Sequence, residues 1–246
     1  MSNEIAFVVG ASGYTGQALV RELRTRGIEC VAHLRRGSPK NDALAKTFEA
    51  LGARVDTSDW EPSAIAQAIE RTTPTCVFAL LGTTKKRQKL GVRNGETEDA
   101  NSYERVDYGL TKMLLDATVA KAPSARFVYL SSLGVTDTTT NAYLAARAKA
   151  ERALRESALA WTVARPSFIT GADREESRPA ERVSSIVIDG ALGALALFGA
   201  TGPRDAYGSM NAETLAIGLV EAALDPACRG AVLDAAALRL KARKAL

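Results

Sequence analysis

Histidine is almost missing from this chain. The single copy, His33, leaves no material for a histidine-centred nucleophile triad or a multi-histidine metal site. Cysteine is scarce too. Cys30, Cys76 and Cys228 are far apart, show no metal-ligand spacing and are odd in number, so they form no disulfide framework. Cys30 and Cys76 lie in apolar runs, as buried and inert thiols do. Aromatic residues make up only 6%, while alanine is abundant, which favours helices. Charge is balanced: the net value of +4 demands neither nucleic acid nor membrane as a partner. No apolar run is long enough to cross a bilayer. The nearest candidate, Ile186 to Ala200, is broken by Asp189 and three glycines. No basic segment followed by an apolar core opens the sequence, and a cytoplasmic location is expected. Apolar content of 46% and charge of 24% are those of a globular protein, and 246 residues suffice for one large α/β domain or two small ones.

What is present is concentrated at the start. The apolar run Ile5-Ala6-Phe7-Val8-Val9 leads directly into Gly10, Gly13 and Gly16, and an amphipathic stretch follows from Gln17. Strand, glycine turn and helix in that order direct backbone N–H groups and a helix N-terminus at one spot, an arrangement that binds a pyrophosphate. Gly10 permits the tight turn, Gly13 lets phosphates approach the backbone, and Gly16 lets the helix pack against its strand. Ser12, Tyr14 and Thr15 complete the turn. The spacing is G-x-x-G-x-x-G rather than the G-x-G-x-x-G of the dinucleotide fingerprint.

The alternation then repeats. Strands are predicted at Ile28 to Leu34, Ala53 to Val55, Thr75 to Leu81, Ala125 to Ser131 and Trp161 to Arg165. Helices are predicted at Asp42 to Leu51, Pro62 to Arg71, Asn101 to Lys121 and Ala142 to Ala158. Short connections between them predict a doubly wound parallel sheet with helices on both faces, the Rossmann arrangement. The polar, basic stretch Gly82 to Ala100 reads as a mobile loop at the carboxyl end of a strand. Beyond Gly171 the rhythm weakens. Asp173 to Arg182 reads as loop, Val183 to Leu197 as an apolar helix, Asn211 to Leu224 as a helix capped by Asn211, and Gly230 to Asp234 as a late strand. Residues 1–171 are thus expected to form a nucleotide-binding core, and 172–246 a small C-terminal subdomain packed on it and covering the substrate.

At the end of the second strand, where an acid would accept the 2′-hydroxyl of NAD, the chain carries Arg35 and Arg36. A carboxylate would repel a 2′-phosphate and a guanidinium grips one, so the expected cofactor is NADP. Asp56 and Thr57, ending the third strand, are placed to meet the adenine.

Further motifs give a resemblance. VVGASGYTG (Val8 to Gly16), LLGTT (Leu80 to Thr84), YLSSLG (Tyr129 to Gly134), Tyr143 with a basic residue downstream, and RPSFITG (Arg165 to Gly171) resemble the atypical short-chain dehydrogenase/reductases of the NmrA-like and Tat-interacting-protein type. The resemblance implies that Leu81, Gly82 and Thr83 lie beside the cofactor and that Pro166, Ser167 and Phe168 pass the nicotinamide. It also implies a Ser–Tyr–Lys set in which the tyrosine is the acid/base, the serine holds the substrate oxygen, and the lysine tunes the tyrosine and binds the ribose. Ser132, with Ser131 as the alternative, matches the serine, and Tyr143 matches the tyrosine. The lysine position holds Arg147. Lys149 is nearby, but at 100° per residue it lies about 240° round the helix from Tyr143, against about 40° for Arg147. Arg147 is therefore the expected cation.

These residues predict an NADP(H)-binding oxidoreductase that reduces a carbonyl or similar small group of a small-molecule substrate. A second reading is an NADP(H)-binding redox sensor or scaffold without turnover. Nucleic-acid binding through Lys85 to Lys89 and Lys241 to Lys244 lacks the stacking aromatics that accompany it and is not expected. Neither a metal nor a membrane is expected, and a homodimer is compatible with the sequence.

Overall fold

The computed structural model describes residues 4–167, 169–170 and 209–245. Seven parallel strands form one sheet in the order β3-β2-β1-β4-β5-β6-β7. They are β1 (Ile5–Val9), β2 (Glu29–His33), β3 (Arg54–Asp56), β4 (Cys76–Ala79), β5 (Arg126–Leu130), β6 (Ala160–Arg165) and β7 (Ala231–Asp234). β1 is an interior strand, with Val8 opposite Ala32 of β2 on one side and Phe78 of β4 on the other.

Successive residues of β1 serve opposite faces, as strand geometry requires. Ala6 and Val8 pack with α1 (Tyr14–Thr25), with Phe48 of α2 (Pro39–Ala50), with α7 (Ala212–Leu224) and with Leu238 of α8 (Ala235–Ala245). Phe7 and Val9 pack with α3 (Pro62–Thr72), α5 (Thr111–Lys121) and α6 (Ala142–Arg155). The sheet is therefore wound on both sides. The chain changes direction across it between β1 and β4, where doubly wound sheets open a crevice at the strands' carboxyl ends.

Residues 209–245 belong to this core. β7 extends the sheet beside β6, with Val163 opposite Val232, and α7 packs against α1. Asn211 caps α7 by accepting the Thr214 N–H at 2.8 Å, and Asp225 follows its last residue. The predicted loop at 173–182 and helix at 183–197 lie outside the described residues.

Two expectations are corrected. The stretch Gly82 to Ala100 is not loop throughout. Lys85–Arg93 forms α4, started by Thr84, whose hydroxyl accepts the Arg87 N–H at 3.2 Å, and Glu98–Asn101 forms a 3₁₀ turn. The predicted single helix from Asn101 is also two pieces. Glu104–Leu110 is π-helical and only then passes into α5. The wider turn admits one extra residue and swings the side chains that follow it.

Candidate functional site

The carboxyl ends of β1, β4, β5 and β6 enclose a cleft of about 810 Å³. Its first wall is the glycine turn. Gly10 has φ +82, and a Cβ there would lie 2.5 Å from the Leu80 carbonyl oxygen, so the ends of β1 and β4 meet only because side chains are absent. A Cβ on Gly16 would sit 2.2 Å from the Gly10 oxygen. Gly10, Thr15 and Gly16 thus support the turn from beneath, while Ser12, Gly13 and Tyr14 line the cleft. No side chain caps α1 at Gly13, and no acid lies in its first turn. The positive end of that helix therefore meets the cleft, as an anion-binding turn requires.

The second wall is the segment after β4. Leu81, Gly82 and Thr83 line the cleft, and the Thr83 N–H donates to Asp107 Oδ2 at 3.0 Å. The third wall combines Ser132 with Pro166 and Ser167, locked together where the Leu133 N–H donates to the Pro166 oxygen at 3.1 Å. Phe168 lies outside the described residues.

Tyr143 stands in the first turn of α6, half-buried at the cleft. Asn141 sets that start, its Oδ1 accepting the N–H groups of Tyr143 and Leu144 at 3.0 and 3.2 Å. The Tyr143 ring meets Tyr103 edge-on at 5.4 Å between centroids, and the Arg147 Cζ lies 4.8 Å from its own centroid. Arg147 thus shares a face with Tyr143. Lys149 points away, its Nζ paired with Glu104 at 2.8 Å.

Arg147 is only 6% exposed and Asp107 is fully buried. One guanidinium nitrogen donates to the Leu130 carbonyl; the other donates to the Leu81 carbonyl at 3.3 Å and lies 3.0 Å from Asp107 Oδ1. Burial alone would pull the guanidinium down, but the fields of Tyr129, Tyr143 and Asp107 outweigh it and hold Arg147 above its ordinary range. Tyr129, buried beside it, is pushed up by burial against the opposing field of Arg147.

The two serines divide. Ser131 is buried, and its hydroxyl donates to Glu151 Oε1 at 2.6 Å; the same carboxylate pairs with Arg155 and Arg165. Ser131 also lines the cleft, but its hydroxyl is engaged by Glu151, and Ser132 is the partly exposed member.

Four expected cofactor contacts stand apart from the cleft lining. Arg35 and Arg36 are exposed at the end of β2, and Arg36 Nε donates to Thr57 Oγ1 at 3.1 Å. The Asp56 carboxylate accepts from the Ser58 N–H at 3.0 Å and pairs with Arg71 at 3.3 Å. Sequence reasoning missed Lys40, Arg21 and Arg87, which line the cleft, and Asp107 beneath it. Asp107 stands among Glu104, Arg105 and Lys112, so no local signal set it apart. Among the described residues no group of three or more His, Cys, Asp or Glu could hold a metal ion, and no helix is long and apolar enough to cross a membrane.

A doubly wound parallel sheet with an uncapped glycine turn at its switch point defines a dinucleotide-binding protein. The chain belongs to the NAD(P)H-binding family, whose profile matches residues 10–186. No curated protein matches it. Among solved structures, a Bacillus halodurans protein described as an NAD-dependent epimerase/dehydratase aligns over 97% of this chain and 99% of its own, with 17% identity and a TM-score of 0.65. MoeE5, solved with UDP-glucose and NAD, aligns over 94% of this chain and 75% of its own, with 21% identity and a TM-score of 0.60. A Burkholderia cenocepacia J2315 protein described as an epimerase aligns over 93% and 74%, with 18% identity and a TM-score of 0.61. At these identities the likeness is one of fold.

Proposed function

We propose that this protein is an NADP(H)-dependent oxidoreductase that reduces a carbonyl or similar small group. The observation that carries the reading is Tyr143, standing over the buried cation Arg147 in the same cleft as the open Gly13 turn. The residues present fit a dinucleotide: a turn bare at Gly10, Gly13 and Gly16, an uncapped helix start and the Leu81–Thr83 segment converge on one crevice. Ser12, Gly13 and Tyr14 would hold the pyrophosphate, and Leu81 to Thr83 with Pro166 and Ser167 the nicotinamide end. When bound, the nicotinamide supplies hydride. The chain's own part is to hold the substrate oxygen between Ser132 and Tyr143 and to deliver the Tyr143 phenolic proton to it, with Arg147 favouring the tyrosinate left behind.

The choice of NADP rests on Arg35 and Arg36 at the end of β2 and on Lys40, which lines the cleft from α2. Titrating NADPH and NADH against wild type and Arg35→Ala tests it. NADPH should bind more tightly, and loss of one charge-assisted contact should weaken it roughly ten- to a hundredfold. Equal affinity for the two cofactors in wild type overturns the choice.

One observation favours the sensor reading. The terminal guanidinium nitrogens of Arg147 are held by Leu130, Leu81 and Asp107, rather than left open as a ribose-binding lysine would be. A sensor predicts NADPH binding with no NADPH oxidation across aldehydes, ketones and quinones. Turnover of any of them removes this reading.

A further inference from the structure

Asp107 occupies a place that the proposed chemistry does not yet use. It sits in the π-helical turn before α5, fully buried, with its two oxygens on different residues of the cleft wall. Oδ2 accepts the Thr83 N–H at 3.0 Å, and Oδ1 lies 3.0 Å from the guanidinium of Arg147. That guanidinium also holds the Leu81 oxygen, so the segment beside the cofactor is gripped at both ends by one buried ion pair. Gly82 lies between the grips. A Cβ there would come within 2.8 Å of Arg147 and 3.4 Å of Asp107 Oδ1. Gly82 is therefore bare because the pair passes directly against it.

We propose that Asp107 is a positioning residue. It holds Arg147 beneath Tyr143 and, through the same carboxylate, fixes the Leu81–Thr83 segment, so that the cation under the tyrosine and the cofactor wall are set by one group. The proposal rests on the reading of Tyr143 as the proton donor. A lysine at position 147 could not make the same contact. Its single ammonium lacks the planar fork that spans Leu130, Leu81 and Asp107 together. The arginine and the buried acid thus form one unit, and the departure from the family's lysine is matched by a residue forty positions upstream. Arg147 from α6 and Tyr103, at the start of the π-helical segment, stand against the Tyr143 ring, and Asp107 and Tyr129 of β5 stand against Arg147 in turn. Lys149 and Glu104 neutralise each other on the outer side.

The test needs no substrate. Arg147 is followed by NMR relaxation of its Nε–H, assigned by its loss in Arg147→Met, and the Leu81–Thr83 segment by amide hydrogen exchange. Asp107→Asn leaves an oxygen for the Thr83 N–H but removes the charge that holds Arg147. The Arg147 Nε–H should become more mobile while the Thr83 amide stays protected. An Arg147 signal as ordered as in wild type overturns the proposal. Asp107→Leu removes the Thr83 anchor as well and should speed exchange of the Thr83 amide and weaken NADPH, each at least about tenfold; wild-type values in that variant also overturn it. If a lone buried arginine prevents folding, Asp107→Leu combined with Arg147→Met empties the site of charge. The Leu81–Thr83 amides should then exchange faster than in wild type, because both grips are lost, and wild-type protection overturns the proposal. Failure to find any substrate would count against the reductase reading and leave these measurements as they are.

Discussion

Tyr143 and Arg147 are one helical turn apart, and that spacing turns a sequence pattern into a physical pair. The phenol is at the cleft, the cation is beneath it, and Asn141 fixes the turn that presents both. Tyr143→Phe should lower turnover by about 10²–10⁴-fold and leave NADPH affinity nearly unchanged, because the hydroxyl works on the substrate. Wild-type turnover in a steady-state assay of the variant removes Tyr143 from the chemistry. The glycines make a second residue-scale prediction. Gly16→Ala places a methyl group 2.2 Å from the Gly10 oxygen, against backbone that cannot yield. It should lower stability by about 1–3 kcal/mol and weaken NADPH as the turn shifts, read by denaturant unfolding and titration. The three glycines were legible because their reasons are local. Asp107 was not, because what it does depends on Arg147 and Thr83, which only the fold brings to it.

At the scale of elements, every strand of the sheet was legible; the inner ones are short apolar runs between turn residues, and β3, Arg-Val-Asp, was legible only from its place in the alternation. Two helical features were not. α4 reads KKRQKLGVR, and its five cations drown the periodicity; the capping hydroxyl of Thr84 was the only local cue. The π-helical Glu104–Leu110 leaves no mark in a 3.6-residue pattern, because its extra residue looks like ordinary drift. α8 was not predicted, because the basic run Lys241 to Lys244 hides its spacing, although Ala235, Leu238 and Ala242 are buried. The π turn can be tested as an element. Deleting Arg105 should let the segment relax to α-helix and turn Asp107 away by about 100°. Helix content by circular dichroism should persist while NADPH binding falls. Wild-type binding in the deletion variant would show that the turn does not set the site.

For the whole molecule, the thiols report on integrity. Burial pushes Cys30 and Cys76 each up to about 12. A thiol raised on folding stabilises fully below its unfolded value and less as pH climbs toward the folded one. Between about pH 9 and 12 the unfolded chain sheds protons that the folded chain keeps, so stability should fall across that window. Cys30→Ala combined with Cys76→Ala should flatten this alkaline limb in equilibrium unfolding. An identical limb in the double variant would assign it to other groups. All three cysteines are buried, so thiol labelling at neutral pH should be slow and should track global opening.

The packing of α7 on α1 also has a consequence in time. The nucleotide turn occupies residues 10–16, yet the helix that backs α1 spans Ala212–Leu224, and the last strand of the sheet ends at Asp234. A chain emerging from the ribosome carries the turn early but lacks its buttress until Ala212–Leu224 has followed it out. Nascent chains therefore cannot use the dinucleotide as an early folding template. The ligand can only select molecules in which α7 has already met α1.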